Sequence, residues 1–240
     1  MKFLYPLYFI YQWLIAIPLA ILSTLFTTVS IIIFSPLFPN SKFTYYITLM
    51  WGKFCCYVFF INVKCSGFEH LDPKQSYVFA VNHQSMFDIL AVYGWIPFIF
   101  KWIMKAELRK VPFIGAASAS GGHIFIDRSN PIAAKHSLEK AAEQLKHGIS
   151  VVIFPEGTRT KTGKLGKFKR GAFLLALELK LPIVPVTLSG SFERLPIHHV
   201  LVKPGTIKMI VHPPVDVSKY TMEQSSELLR TTQEIIRSGL

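Results

Sequence analysis

The chain has 240 residues and a mass of 27.3 kDa, enough for one compact domain with an appendage and a sizeable core. Its 51% hydrophobic residues and mean hydropathy of +0.38 are high for a purely soluble domain. The net charge of +12 calls for anionic partners, and beside so apolar a front end it argues against nucleic acid, because the basic residues do not interleave with aromatics as in RNA-binding surfaces.

The apolar excess lies at the N-terminal end. Between Lys2 and Lys42 runs "FLYPLYFIYQWLIAIPLAILSTLFTTVSIIIFSPLFPNS", without a charged residue. It exceeds the roughly 20 apolar residues that cross a bilayer core as a helix, and is far longer than the apolar core of a cleaved signal peptide. A second run, Phe43 to Ile61, follows the turn-like "SPLFPNSK" and carries Lys53 near its middle, where a lysine is tolerated if it snorkels or lies at an interface. The two runs predict a two-helix membrane anchor over residues 1–64, crossing the bilayer or dipping into one leaflet. Cys55, Cys56 and Cys65 sit in or next to it and offer neither a zinc spacing nor a disulfide framework.

From residue 65 the texture becomes short apolar runs alternating with helical stretches. "YVFAVN", "HIFID", "SVVIFPEG", "PIVPVTLSG" and "TIKMIVHPPV" read as strands. "QSMFDILAVYGWI", "NPIAAKHSLEKAAEQLKHG", "RGAFLLALELK" and the tail from Thr221 to Ser238 read as helices. In the second of these Asn130 is placed as N-cap, Pro131 in the first turn and Gly148 as the stop. Such alternation predicts an α/β domain over 65–240, a largely parallel central sheet flanked by helices. In open α/β sheets the ligand site lies beyond the carboxyl ends of the strands. "NHQS", "DRS" and "PEGTRT" each follow a strand and are expected on one rim.

The first of these loops holds His83 and, five residues on, Asp88, one of only four aspartates in the chain. An imidazole can take a proton from a hydroxyl while a carboxylate fixes its tautomer and stabilises the cation. No Gly-x-Ser-x-Gly elbow surrounds Ser85, which is read as a helix N-cap. No His-x3-His or second carboxylate joins the pair, so proton transfer is favoured over metal ligation, and no metal or cofactor is expected. The stretch Phe154 to Gly171 superficially resembles a phosphate loop. Gly157 and Gly163, however, enclose five residues, and Leu165 follows Lys164, so it is no Walker A. Its cations suit a phosphate nonetheless, and Arg159, at the strand exit beside Glu156, is the one expected to grip it with a two-pronged fork. Lys105 and Arg128 supply further positive charge, and Gly121 with Gly122 permits close backbone approach.

Taken together, "NHQSMFD", "KAELRKVPFIG" with "GGHIFIDRS", "FPEGTRT" and "LPIVPV" resemble the four ordered blocks of the glycerolipid acyltransferases, closest to those acting on 1-acylglycerol-3-phosphate. The resemblance covers roughly Gly67 to Val217 and implies His83 as general base with Asp88 orienting it. It ties Lys105, Gly122, Phe125 and Arg128, and then Glu156, Gly157 and Arg159 with Thr158 among them, to the acceptor and its phosphate. It assigns Pro182 and Pro185 to the acyl donor or to the shape of the site. The implied reaction moves a fatty acyl group from acyl-CoA or acyl-carrier protein to the sn-2 hydroxyl of lysophosphatidate, at a membrane, with the catalytic domain on the cytoplasmic face. The alternatives are acyl transfer to another lysophospholipid or to glycerol-3-phosphate, and a non-catalytic, membrane-tethered protein that binds anionic lipid.

Overall fold

The computed structural model describes residues 4–127 and 149–240. Arg128 and the helix expected from Asn130 to Gly148 lie outside the described residues.

The described residues open with a continuous helical rod. Helix α1 (Leu4–Tyr11) passes through a π-helical turn (Gln12–Ala16) into α2 (Ile17–Leu37). Among the described residues Pro6–Leu37 is the one helix long and apolar enough to cross a membrane, with a mean hydropathy of 2.2. Ser41 then caps α3 (Lys42–Val58) by accepting from the Thr44 N–H at 3.3 Å. The second apolar run is thus a helix, but a shorter one than expected. It has 17 residues, ends before Ile61, and buries Gly52, Cys55 and Cys56 while leaving Phe43, Met50 and Tyr57 exposed.

Contacts at four residues fasten this layer. The Gln12 amide donates to Val200 O at 2.8 Å and accepts from Val202 N at 2.9 Å. The Trp51 indole donates to Thr24 Oγ1 at 3.0 Å, joining α3 to α2. Gly52 lies so close to α4 (Phe87–Trp95) that a Cβ there would stand 2.7 Å from Leu90 O. The Lys53 ammonium sits over the Trp95 ring, 5.7 Å from its centroid.

Seven strands form one sheet: β1 (Ile61–Ser66), β2 (Val78–Val81), β3 (Phe100–Lys105), β4 (Ile124–Ile126), β5 (Ser150–Ile153), β6 (Ile183–Ser189) and β7 (Gly205–Val211), in the order β1-β7-β6-β2-β5-β3-β4. From β6 to β4 the five neighbours run parallel. β7 is antiparallel to β6, and β1 is parallel to β7. Strands β2 and β5 are buried at every position, as befits parallel strands covered on both faces. Their alternate side chains feed two cores: Phe79 and Val81 join Ala91, Trp102 and Cys56 on one side, while Val78 and Ala80 join Phe173, Leu228 and Ile236 on the other.

Among the described residues the remaining α-helices are α5 (Ile114–Ser120), α6 (Gly171–Leu179), the short α7 (Ser191–Arg194) and α8 (Ser225–Ser238). Two strands, β1 and β3, were not among the sequence expectations. β1 runs from the tail of the second apolar run through Lys64, so the sheet begins inside the segment read as anchor. β3 carries Lys101 in a buried position, where an apolar residue would have advertised a strand.

Candidate active site

Because β2 and β5 are parallel neighbours, the loops that follow them leave the sheet side by side. At the end of β2 the Asn82 amide bridges to β6, donating to Leu188 O at 2.8 Å and accepting from Leu188 N at 2.7 Å. The next residue is His83. Its Nδ1 meets Asp88 Oδ2 at 2.9 Å, and the same oxygen accepts the N–H groups of Gln84 and Ser85 at 2.5 and 2.7 Å. Asp88 is 0% exposed and His83 9%. The first turn of α4 thereby places a buried carboxylate against one ring nitrogen, and three hydrogen bonds to one oxygen hold it there.

Ser85 is not the N-cap of α4; Met86 occupies that position. The Ser85 hydroxyl accepts from Phe87 N–H at 3.3 Å and donates to Leu195 O at 2.8 Å, an arrangement suited to holding a loop and not to nucleophilic attack.

The loop after β5 closes around His83 through backbone contacts. Glu156 accepts from the His83 N–H and the Gly166 N–H, one on each carboxylate oxygen, both at 2.7 Å. Thr160 N–H donates to His83 O at 2.9 Å. The Gln84 amide donates to Gly163 O at 2.9 Å, and Gln233, from α8, donates to Gly166 O at 2.8 Å. Burial pushes the Glu156 carboxyl above the ordinary glutamate value, while the two N–H donors pull it back. Both oxygens are occupied by backbone, so Glu156 acts here as a clamp between the histidine loop and the basic loop. Gly157 turns with φ +74°, a left-handed conformation that favours glycine.

The other residues singled out in the sequence are distributed unevenly. Arg159 is half-buried and Thr158 exposed on the closed loop. Lys105 ends β3 on the same rim, exposed and in register with Ile126 of β4. Phe125 lies in the middle of β4, with the Arg109 guanidinium 5.7 Å from its ring centroid. Gly122 precedes β4, at the opposite end of the strand from the rim, with φ +72° and the Lys101 ammonium beside it. Pro185 is buried in β6 opposite Ala80, and Pro182 precedes that strand, accepting from Val78 N–H at 3.0 Å. Both prolines shape the sheet beneath the rim. Among the described residues no group of three or more His, Cys, Asp or Glu side chains is placed to hold a metal.

A family model described as Acyltransferase matches residues 62–189, more than half of the chain. The chain belongs to this family. Over 191 residues it is 34% identical to a chloroplastic 1-acyl-sn-glycerol-3-phosphate acyltransferase of Arabidopsis thaliana, covering 79% of this chain and 52% of that protein. It is 35% identical over 172 residues to the alpha 1-acyl-sn-glycerol-3-phosphate acyltransferase of Mus musculus, covering 69% and 59%. The chain thus spans about half the length of the curated relatives it matches. The crystal structure of the 1-acyl-sn-glycerophosphate acyltransferase of Thermotoga maritima superposes with a TM-score of 0.73 at 26% identity, covering 94% of this chain and 96% of that one. Membership gives the paired His83 and Asp88 a chemical context that the geometry alone leaves open.

Sequence reasoning passed over Gln84 and Gln233, whose amides tie the loop after β5 in place, and Phe154, whose ring stacks on His83. Gln84 carried a faint signal, a second polar side chain in an otherwise apolar stretch. The other two carried none, because their contacts depend on which strands and helices are neighbours.

Proposed function

We propose that this chain is a membrane-associated 1-acylglycerol-3-phosphate acyltransferase that moves a fatty acyl group from a thioester to the sn-2 hydroxyl of lysophosphatidate, giving phosphatidate. The observation that carries the proposal is the buried Asp88 on His83 Nδ1 at 2.9 Å. With that nitrogen engaged, Nε2 is left to take the proton of the acceptor hydroxyl. As it does so, the hydroxyl oxygen attacks the thioester carbonyl, the new C–O bond forms, and the C–S bond breaks. The departing thiolate recovers the proton from the imidazolium, which Asp88 has stabilised meanwhile. No acyl-enzyme is needed.

Arg159 and Lys105, on one rim with His83, supply positive charge for the acceptor's phosphate, and Arg128 is assigned to the same task. Acyl-CoA and acyl-carrier protein are both chemically suitable donors. The long apolar helix serves to bring the site to a lipid acceptor. A lipid-binding scaffold would have the helix and the lysines but no use for a carboxylate fully enclosed beneath a histidine, so the pair favours an enzyme.

The test is turnover of lysophosphatidate with each donor. His83→Ala is expected to lower kcat by about 10²–10⁴-fold, with the fold and membrane association retained, and Asp88→Asn to fall in the same direction. Near-normal turnover by His83→Ala would overturn the mechanism. A wild-type preference for lysophosphatidylcholine, whose headgroup adds a cation, would overturn the choice of acceptor.

A further inference from the structure

We propose that Phe154 is a positioning residue whose ring fixes the plane of the His83 imidazole, and with it the direction in which Nε2 points. The inference rests on the reading of His83 as general base. The hydrogen bond to Asp88 defines where Nδ1 sits, but a single hydrogen bond leaves the ring free to swing about the line joining Nδ1 to the carboxylate oxygen. Phe154 removes that freedom. The two ring centroids are 3.8 Å apart and the planes are 7° from parallel. An in-plane anchor and a face-on support together determine where Nε2 goes.

Phe154 is itself backed and held. The Trp102 ring lies 5.1 Å from it at 32°. Trp102 is buried in β3, and its backbone N–H donates to His123 Nδ1 at 3.2 Å. Phe154 follows β5 directly, and its carbonyl accepts from Gly157 N–H at 2.9 Å. The pile of three rings therefore runs from the rim into the sheet, and it ends on the strand that carries Lys105. A phenyl face also suits the imidazolium formed as the proton is taken, because the ring quadrupole attracts a cation placed over it. A branched aliphatic side chain fills comparable space but offers neither the plane nor the quadrupole.

The experiment compares Phe154→Leu with Phe154→Tyr in the full-length chain, measuring saturation curves for both substrates and the unfolding midpoint. Misplacing a catalytic group by about 1 Å can cost on the order of 10²-fold in rate, so Phe154→Leu is expected to lose between about ten- and a hundredfold in kcat. Both KM values should stay within about threefold of wild type, since only the aim of the base has changed. Phe154→Tyr, which keeps the ring, should recover most of the loss. In a His83→Ala background Phe154→Leu should change kcat no further, because there is no imidazole left to aim. If Phe154→Leu does not fold, Phe154→Met takes its place as an unbranched side chain of similar volume. Unchanged kcat in the aliphatic variant overturns the inference, as does an equal fall in Phe154→Tyr or a further fall in the His83→Ala background. The parallel His83→Ala measurement separates the two claims. If that variant turns over normally, the general-base reading fails; if it is inactive while Phe154→Leu is normal, only the role of Phe154 fails.

Discussion

Lys101 carries its ammonium into the space between β3 and the end of α5, where it donates to Gly121 O at 2.6 Å. It is 8% exposed, and among the described residues no carboxylate pairs with it. Burial lowers its pKa from 10.5 to about 8, because an ammonium loses hydration that one carbonyl does not replace. Below pH 8 the folded chain therefore holds a charge that the unfolded chain holds more comfortably. Between pH 8 and 10.5 the unfolded chain binds more protons, so stability rises with pH over that window. The full penalty is about 3 kcal/mol, offset in a methionine variant by loss of a hydrogen bond contributing about 1 kcal/mol. Lys101→Met is thus expected to stabilise the chain at pH 7, and that gain should shrink or vanish by pH 10. Denaturant unfolding at the two values checks it, and equal destabilisation at both would show that the Gly121 contact dominates. His123 shows the opposite edge of the pH range. Its pKa is lowered to about 3 by burial and by Lys101, so stability is lost as pH falls from the ordinary histidine value toward 3. At this scale the sequence was legible where both partners of a contact lie in one short stretch, as His83 and Asp88 do. It was silent on Phe154, whose ring meets His83 only because β2 and β5 pair.

Among the elements, the crossing of α3 and α4 depends on glycine in a way that can be tested by sign. A Cβ on Gly52 would lie 2.7 Å from Leu90 O and 2.8 Å from Gly94 N, and backbone atoms of a neighbouring helix have little room to give. Helix propensity alone makes Gly→Ala stabilising by about 1 kcal/mol, whereas forcing atoms into a packed crossing costs about 1–3 kcal/mol. Gly52→Ala is therefore expected to lower the unfolding midpoint, and to lower kcat as well, because α4 carries Asp88 in its first turn. Gly171 is the control, since a Cβ there meets nothing within 4 Å; Gly171→Ala should be neutral or mildly stabilising. A rise in midpoint for Gly52→Ala would mean that the two helices separate freely. The same crossing decides which face of the second apolar run meets protein. Its composition suits lipid, but its buried residues Gly52, Cys55 and Cys56 face protein, and apolar composition alone does not distinguish the two. Strands β2, β5 and β6 were legible because strands buried on both faces are continuous apolar runs bounded by turns. β3 was not, because Lys101 stands at a buried position in it, and β1 was not, because it begins at Ile61, inside the run read as anchor.

At the scale of the whole molecule, one sheet carries a basic rim at the ends of its strands, and an apolar rod is fastened to α3 and to the segment before β7. Deleting residues 1–61 would do more than detach a tether. It would remove Cys56 and Phe59 from the core and the first residue of β1 from its pairing with β7. Point substitutions on the outer face of the rod are the cleaner probe. Leu14 and Phe26 are each 71% exposed, so replacing them leaves the core untouched. Two forces are then separable on vesicles. Each Lys or Arg near an anionic surface contributes on the order of 1 kcal/mol, and salt suppresses this, because the screening length falls from about 10 Å at 0.1 M to about 3 Å at 1 M. Burying a leucine or phenylalanine contributes about 1.5–3 kcal/mol and is insensitive to such screening. Wild type is expected to bind anionic vesicles at both salt concentrations. The Leu14→Glu/Phe26→Glu variant should keep its unfolding midpoint and part of its binding at low salt. At 1 M salt it should lose at least about a hundredfold in partitioning, since two apolar contributions vanish together. Sedimentation with vesicles at the two ionic strengths reads both quantities. If the variant remains bound at 1 M salt as tightly as wild type, the rod's outer face is not the surface that enters the lipid.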